Sequence, residues 1–344
     1  MAQSLRCLPF VFLLALCTAA ARADDWQNCK QQQDTNLSLT ACSNILQRGE
    51  ESRDNQAVAY SSRGDAYRAK GLFDMAFADY TRAIELNPNY EQAYYGRSYI
   101  YMKKGEFDAA IADCTRAISA NPKYENAYIC RGYTYFRKGD AGQAVADYTR
   151  AISVNPKFLP AYIARAFALE ASGDYQKALA DKAIAVELSP NNAGLVFQLG
   201  LGQFLTGDFR SASATLKRSL DMKNDIHAML YRYLARARAG EATGAEELEV
   251  NAGRLKTNEW PYAVIDLYLG KRSPALTLEA AGKPGDECEA RFHIGEWYIL
   301  QNQPAEAEAA LKMAAETCRN ALSQYPKILY EYHGAQAELK RMKP

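Results

Sequence analysis

The side chains best suited to chemistry in this sequence are six cysteines and three histidines that follow residue 23. The cysteines are Cys29, Cys42, Cys114, Cys130, Cys288 and Cys318. Because none of them belongs to a C-x-x-C pair, the sequence indicates neither a zinc site nor a redox motif. An even number of cysteines instead predicts disulfides, which persist in oxidising compartments.

We expect two structural disulfides. If the residues around Cys29 and Cys42 form an N-terminal helical hairpin, the two side chains face each other across it. A bridge that closes about 14 residues would contribute about 3 kcal/mol by loop entropy. Cys288 and Cys318 lie at the start of one helix and the end of the next, and an antiparallel hairpin brings these ends together.

The remaining candidate groups favour packing over chemistry. Cys114 falls at a helical core position and Cys130 in the next helix, so we expect two buried thiols rather than a bridge. His227, His293 and His333 are isolated from one another and from metal-type carboxylate spacings, so we expect each at the surface or in packing. The sequence contains no G-x-S-x-G, H-E-x-x-H or phosphate-binding glycine loop. We therefore expect no enzyme, no metal and no cofactor.

The elements that position these residues are repeats with a period of 34 residues, four of which fill residues 57–192. Position 15 of every repeat is glycine and position 32 is proline, residues that end helices. Each repeat is therefore a helical hairpin. Small residues at positions 8, 20 and 27 let the two helices approach, and bulky residues at positions 4, 11 and 24 fill the gaps. One hairpin cannot bury its own apolar face, so the hairpins must stack.

These recurring columns resemble the tetratricopeptide repeat family. The resemblance implies an all-α fold, a right-handed superhelical solenoid of tetratricopeptide-type helical hairpins with one concave and one convex surface. We expect an N-terminal helical cap hairpin over residues 24–56 and five repeats over 57–226. Degenerate helical pairs should follow over 227–287, and a further repeat with a capping helix over 288–344.

The first 23 residues have the pattern of a secretory signal peptide, with Arg6 before an apolar core and Ala21-Arg22-Ala23 as the cleavage site. Cys17 lies in a segment similar to a lipoprotein processing site, so a lipid anchor in the cell envelope is the alternative. Cleavage after Ala23 leaves 39 of the 41 basic side chains against 40 acidic ones. This balance argues against nucleic acid, and against a membrane unless Cys17 is lipidated. We expect a periplasmic protein with protein or peptide partners.

The carboxy-terminal half carries a second resemblance. The run from Trp260 to Gly270, the run from Ala290 to Tyr298 and the pair Glu331-Tyr332 resemble the NlpI lipoprotein family. Members of that family are commonly dimeric envelope scaffolds that present a murein endopeptidase to a processing protease. The resemblance implies a scaffold or adaptor that forms a homodimer and binds envelope proteases or peptidoglycan hydrolases.

The concave wall of such a solenoid comes from positions 2, 5, 9, 12 and 13 of each first helix, and aromatic residues are frequent there. Rigid aromatic side chains on a preformed wall suit an extended peptide or an amphipathic helix. Packing against the neighbouring helix is the alternative at each position. The predicted partner-binding groove comprises Tyr95, Tyr99, Met102, Ile129, Tyr133, Phe136, Ile163, Phe167, Phe197 and Phe204.

A ladder of charges runs through the same repeats. Position 7 is arginine and position 23 is aspartate in all four, and an antiparallel hairpin places these positions near each other. We expect one ion pair per repeat between its two helices. An arginine stripe that recognises anionic ligands is the alternative, and the paired acids argue against it.

Two classes of function follow from these patterns. The first is a periplasmic adaptor that works through the groove, so that charged substitutions at Tyr99, Tyr133 or Phe167 abolish partner binding. The second is a structural subunit of a secretion or polysaccharide-export assembly, bound through the convex face or the C-terminal cap. This second hypothesis predicts that substitutions near Trp260 or Tyr332 disrupt partner binding, whereas substitutions in the groove do not. A third class, an enzyme, would be supported by measurable hydrolysis of peptides or muropeptides by the purified protein.

Overall fold

The computed structural model describes residues 23–31, 33–241, 244–255, 259–322, 324–325 and 328–343. Within these ranges the secondary structure is helical, without a strand. The predicted signal peptide lies outside the described residues apart from Ala23, and Cys17 lies outside them too. None of the helices in these ranges combines the length and the apolar composition that crossing a bilayer requires.

The helices are α1 (23–30), α2 (Thr35–Arg48), α3 (Arg53–Ala69), α4 (Phe73–Leu86), α5 (Glu91–Lys104), α6 (Phe107–Ala120), α7 (Glu125–Arg137), α8 (Ala141–Val154), α9 (Leu159–Ala171), α10 (Tyr175–Leu188), α11 (Ala193–Thr206), α12 (Phe209–Met222), α13 (Ile226–Arg238), α14 (Gly244–Ala252), α15 (Tyr262–Tyr268), α16 (Pro274–Glu279), α17 (Pro284–Leu300), α18 (Pro304–Ala321) and α19 (Leu329–Arg341). They fall into two compact units, Met1–Ala161 and Tyr162–Pro344, called here the amino-terminal and the carboxy-terminal unit. The boundary lies within α9.

Local signals define the hairpins of the amino-terminal unit, in which α3 packs on α4, α5 on α6 and α7 on α8. Gly105 follows α5 with φ 78°, a left-handed conformation that costs a glycine little. The second helix of each hairpin is followed by an asparagine in extended conformation, since the proline after it disfavours helical geometry there. These asparagines are Asn87, Asn121 and Asn155.

Matched side-chain volumes hold the two helices of a hairpin together. Tyr80 is fully buried on α4 and fills space left by two glycines. A Cβ atom would lie 2.8 Å from the Tyr80 ring if placed on Gly64, and 2.4 Å from it if placed on Gly96. Tyr148 meets Gly132 in the same way, with a Cβ distance of 2.8 Å. The large residue at position 24 therefore explains the small residue at position 8.

The predicted ladder of ion pairs is present. Each arginine donates from two nitrogens to the two carboxylate oxygens of its aspartate, at distances of 2.7–2.9 Å. The aspartates are buried and the guanidinium groups largely so. Three pairs lie in the amino-terminal unit and the fourth in the carboxy-terminal unit. The pairs are Arg63–Asp79, Arg97–Asp113, Arg131–Asp147 and Arg165–Asp181.

The described chain contains three disulfides. Cys29–Cys42, with Cα atoms 4.7 Å apart, and Cys288–Cys318, with Cα atoms 4.8 Å apart, are the two pairs predicted from the sequence. The expectation of two free thiols at Cys114 and Cys130 is wrong, because the structure joins them with Cα atoms 6.0 Å apart. Their helices, α6 and α7, belong to different repeats but pack against each other, so both sulfurs lie at one interface.

The carboxy-terminal unit keeps the hairpins but closes them around one larger core. Fully buried Phe204, Tyr231 and Phe292 lie at its centre, supplied by α11, α13 and α17. Pro284 and Gly285 belong to α17 rather than to a loop. Lys283 caps α17 and Pro284 is its first residue, where a missing backbone N–H costs nothing. The last helix, α19, packs on α17, α18 and α11.

Candidate functional site

An open pocket of about 340 Å³ lies on the amino-terminal unit, between α5 and α7. Five of the ten predicted groove residues line it, together with Lys103, Cys130 and Arg137. The five are Tyr95, Tyr99, Met102, Ile129 and Tyr133. On both helices the lining side chains recur at intervals of three or four residues, so each helix presents one face to the pocket. The structure thus brings together half of the predicted groove.

The opposite faces of the two helices are buried, which directs the aromatic face outwards. Ala93 and Ile100 of α5 are fully buried, as is Ala127 of α7. Tyr95 packs edge to face on Tyr124, with ring centroids 5.8 Å apart. Burial raises the pKa of the Tyr95 hydroxyl, so it remains a neutral hydrogen-bonding group near pH 7.

Exposed cations stand over the tyrosine rings of the pocket. Lys103 Nζ lies 5.5 Å from the centroid of Tyr99, and Arg137 Cζ lies 5.9 Å from that of Tyr133. Tyr133 itself is 43 % exposed. Among the described residues that line the pocket, none is acidic. The surface therefore combines flat apolar contact area with positive charge, and cations over aromatic faces hold both groups in place.

A second pocket of about 430 Å³ adjoins α3 and the first hairpin. Its charged lining residues include Asp65 and Arg68. Asp65 accepts a hydrogen bond from the Tyr80 hydroxyl at 2.8 Å and one from Arg68 at 3.3 Å. Arg68 also lies over the Tyr99 ring at 5.1 Å. Because these groups satisfy one another, this pocket offers less free charge to a partner than the pocket between α5 and α7.

The other predicted groove residues do not share the pocket between α5 and α7. Phe136 is half-buried on α7 and is absent from the lining among the described residues. Ile163 and Phe167 line a small apolar depression in the carboxy-terminal unit. Phe197 packs on Tyr231 and Tyr330, with ring centroids 6.2 and 5.8 Å apart.

The prediction that Phe204 lines a groove is wrong, because its side chain is fully buried in the core. Helix α19 covers α11 and thereby occupies the wall that the repeat pattern had left open. Gln198 donates a hydrogen bond to the Tyr330 hydroxyl, and Arg341 donates to the Phe204 carbonyl at 2.8 Å. More than 130 residues separate the partners in each contact, so repeat periodicity carries no signal for it.

Buried charges hold α19 in this place. Arg238 contacts Glu296 at 3.1 Å and Glu338 at 3.2 Å, and all three side chains are at least largely buried.

The neutral side chain of His333 also packs in the carboxy-terminal unit. His333 packs edge to face on Tyr175 with centroids 6.1 Å apart. Burial and the nearby Lys182 ammonium lower the pKa of His333 to about 4, so the ring is neutral near pH 7.

The expectation that the histidines are isolated from one another and from metal-type carboxylate spacings is wrong for His227 and His293. The structure brings His227 and His293 to the same buried carboxylates, Glu289 and Glu331. His227 Nε2 lies 3.3 Å from Glu289 Oε1, and 40 % of the His227 side chain is exposed. The Glu289-x-x-x-His293 spacing places two of these groups on one helical face, and it was the available sequence signal.

Burial and mutual charge perturb this cluster strongly. Burial lowers the pKa of His293 to about 4. Burial opposes protonation of His227, but its hydrogen bond to Glu289 and the charge of that carboxylate raise the pKa to about 9. Burial and the charge of Glu289 raise the pKa of Glu331 to about 8. Near pH 7 the cluster therefore holds a His227–Glu289 ion pair beside a neutral imidazole and a protonated Glu331.

Comparison with known families identifies the repeats. One family, described as TPR repeat, matches residues 64–105 and 98–139. A second family, described as tetratricopeptide repeat, matches residues 131–193. Residues 64–193 therefore carry tetratricopeptide repeats. No protein with curated annotation matches the sequence significantly.

Solved structures resemble the fold. The C-terminal part of a TPR repeat-containing protein from Cytophaga hutchinsonii has 17% identity and a TM-score of 0.50, over 78% of this chain and 97% of that chain. A tetratricopeptide repeat protein from Parabacteroides merdae has 17% identity and a TM-score of 0.47, over 73% and 98%. YrrB, described as a TPR protein with an unusual peptide-binding site, has 20% identity and a TM-score of 0.43, over 55% and 95%.

The fold is thus an all-helical solenoid of tetratricopeptide type, as the sequence predicted. Repeats of this class are protein-interaction modules that bind protein or peptide partners. For this chain, the pocket between α5 and α7 is the surface on which several predicted contact residues meet in an exposed arrangement.

Proposed function

We propose that this protein is a periplasmic adaptor whose pocket between α5 and α7 binds a peptide segment of a partner protein, without catalysis. The observation that carries the proposal is the meeting of Tyr95, Tyr99 and Tyr133 with Lys103 and Arg137 in one exposed, preformed pocket. Rigid aromatic rings bury contact area at little entropic cost. The segment that fits carries apolar side chains for the rings and acidic side chains for the two cations.

Export supports the periplasmic part of the proposal. Three disulfides in the described chain are typical of a protein that folds in an oxidising compartment. The signal-peptide pattern of residues 1–23 has the same implication. Mass spectrometry of the protein purified from its native cells should find Asp24 as the first residue. An acylated Cys17 as the first residue would replace this proposal with a lipid-anchored protein.

The carboxy-terminal resemblance to the NlpI family supports a more specific proposal. It points to envelope proteases or peptidoglycan hydrolases as partners, and to a homodimer. A photoreactive amino acid in place of Met102 on α5 should cross-link the partner in intact cells. The same group in place of Arg116, which is exposed on α6, is the matched control and should not. Mass spectrometry of the cross-link then gives the partner's segment.

Affinity measurements on that segment decide between the groove and other surfaces. A synthetic peptide of the cross-linked segment should bind the wild-type protein, and Tyr99→Glu/Tyr133→Glu should weaken binding at least about 30-fold, because an aromatic hot spot is worth about 2 kcal/mol or more. Arg116→Glu should bind like wild type. Equal affinity in all three proteins would refute the pocket. The same photoreactive group in place of Trp260 or Tyr332 probes the other surface. Partner cross-links from those positions but not from Met102 would favour the structural subunit of a secretion or polysaccharide-export assembly.

A further inference from the structure

A cluster of metal-ligand side chains lies inside the carboxy-terminal unit, where the proposed adaptor function makes no use of it. Glu289 and His293 lie one turn apart on α17, and Glu331 lies on α19. One ligand atom from each residue lies within 4.8 Å of those of the other two, and all three side chains are buried. We propose that Glu289, His293 and Glu331 bind one divalent transition-metal ion of the zinc type.

The surroundings of His293 leave one ring nitrogen for a ligand. Its Nδ1 lies 2.7 Å from the Tyr268 hydroxyl, and that hydroxyl donates to the His293 carbonyl oxygen at 3.3 Å. With its proton directed to the carbonyl, the Tyr268 oxygen accepts a hydrogen bond from Nδ1–H. The lone pair of Nε2 is then free. In the described part of the chain this fully buried Nε2 has no hydrogen-bond partner.

Aromatic donors also orient the two carboxylates. Trp260 Nε1 donates to Glu289 Oε2 at 2.8 Å, and the Tyr231 hydroxyl donates to Glu331 Oε1 at 3.3 Å. Each of the three ligand side chains therefore has one polar atom held by a neighbouring ring system. Metal sites in proteins have this second layer, in which hydrogen bonds fix the direction of the ligating groups.

The donor set indicates the class of ion. One imidazole and two carboxylates suit Zn²⁺ and its neighbours among the divalent transition metals, whereas Mg²⁺ and Ca²⁺ prefer oxygen ligands throughout. An ion that displaces the proton of Glu331 would meet two carboxylates, whose charges balance a divalent ion buried away from water. An ion bound at Glu289 Oε1 would replace the 3.3 Å contact of that oxygen with His227 Nε2, and the His227 side chain is 40 % exposed.

Binding of the metal ion would hold two helices of the carboxy-terminal unit together. Because Glu331 belongs to α19 and the other two ligands to α17, the ion would join the last helix to the preceding repeat. Helix α19 also covers α11, so the ion would help to keep that wall closed. The full-length protein should therefore gain thermal stability from the metal, with a melting temperature that rises with the logarithm of metal concentration.

The test uses full-length protein stripped with a chelator and then titrated with Zn²⁺ by calorimetry and with Co²⁺ by visible absorption. The wild type should bind one ion per chain. His293→Gln and Glu331→Gln should each weaken binding by more than about 100-fold, and Tyr268→Phe by about 10–100-fold, as outer-shell changes do. His333→Gln, a buried histidine of α19 outside the cluster, is the matched control and should bind like wild type.

Two results would overturn the proposal: no binding of either ion to wild type, or affinities that His293→Gln and Glu331→Gln leave unchanged. X-ray absorption of zinc-loaded wild-type protein gives an answer that does not depend on the folding of any variant. A first shell of nitrogen and oxygen with imidazole scattering supports the site. A shell that contains sulfur, or that lacks imidazole, refutes it.

Discussion

The Arg97–Asp113 ion pair provides a sharp test of how the repeats are held together. Arg97 donates from Nε and from a terminal nitrogen to the two oxygens of Asp113, at 2.8 and 2.9 Å. The side chains are 17 % and 8 % exposed. The guanidinium also lies 5.9 Å from the Phe77 ring and 5.8 Å from the Tyr101 ring. The pair is therefore well ordered and largely removed from water.

Removing one partner should cost far more than removing both. Asp113→Asn leaves the largely buried Arg97 charge without its counter-ion, and a buried pair broken in this way loses about 3–5 kcal/mol. Because Arg97 keeps some solvent, we expect a loss of about 2–3 kcal/mol in the free energy of unfolding. Arg97→Met/Asp113→Leu replaces both charges with apolar groups and should remain within about 1 kcal/mol of wild type.

The assay is urea unfolding followed by far-ultraviolet circular dichroism, with the slope m compared among all variants. Glu85→Gln breaks the exposed Arg82–Glu85 pair, whose contact of 2.7 Å lies on the surface, and should leave stability unchanged. A double variant that loses as much stability as Asp113→Asn alone would refute the reasoning. It would show that the loss comes from the missing attraction within the pair and that the unpaired Arg97 charge adds little to it.

Three further predictions concern packing, pH and the covalent framework. Gly96→Ala should destabilise the protein by about 1–3 kcal/mol in urea unfolding, because its Cβ would lie 2.4 Å from the Tyr80 ring, whereas the open site of Gly142→Ala should be neutral or slightly stabilising. Burial and nearby acid raise the pKa of Tyr175 to about 12, above its unfolded value of about 10. The native state therefore keeps that proton longer, and stability present below pH 10 is lost as the pH rises towards 12. Tyr175→Phe should flatten this decline by up to about 1 kcal/mol per pH unit in unfolding measured from pH 9 to 12, and equal slopes would contradict the assignment. Replacing both cysteines of Cys288–Cys318, which lie 30 residues apart, with serine should cost about 4 kcal/mol by loop entropy, and an unchanged urea midpoint would exclude that contribution.

The hairpins and the ladder could be predicted from the sequence because their determinants are local. A glycine at the end of one helix and a proline after the next act within a few residues, and they recur at a fixed period. Arg97 and Asp113 are 16 residues apart within one hairpin, so hairpin geometry alone brings them together. The same local geometry explains why Tyr95, Tyr99 and Met102 were correctly placed on one face of α5.

Tertiary structure alone decided which parts of the predicted groove are open. Phe204 follows the same repeat pattern as the pocket residues, yet α19 returns to α11 and buries it. The cluster of Glu289, His293 and Glu331 and the Cys114–Cys130 disulfide likewise join side chains from different hairpins. Repeat periodicity specifies the face of a helix on which a residue lies. Whether a distant segment covers that face depends on how the whole chain packs. A local sequence pattern does not predict such contacts.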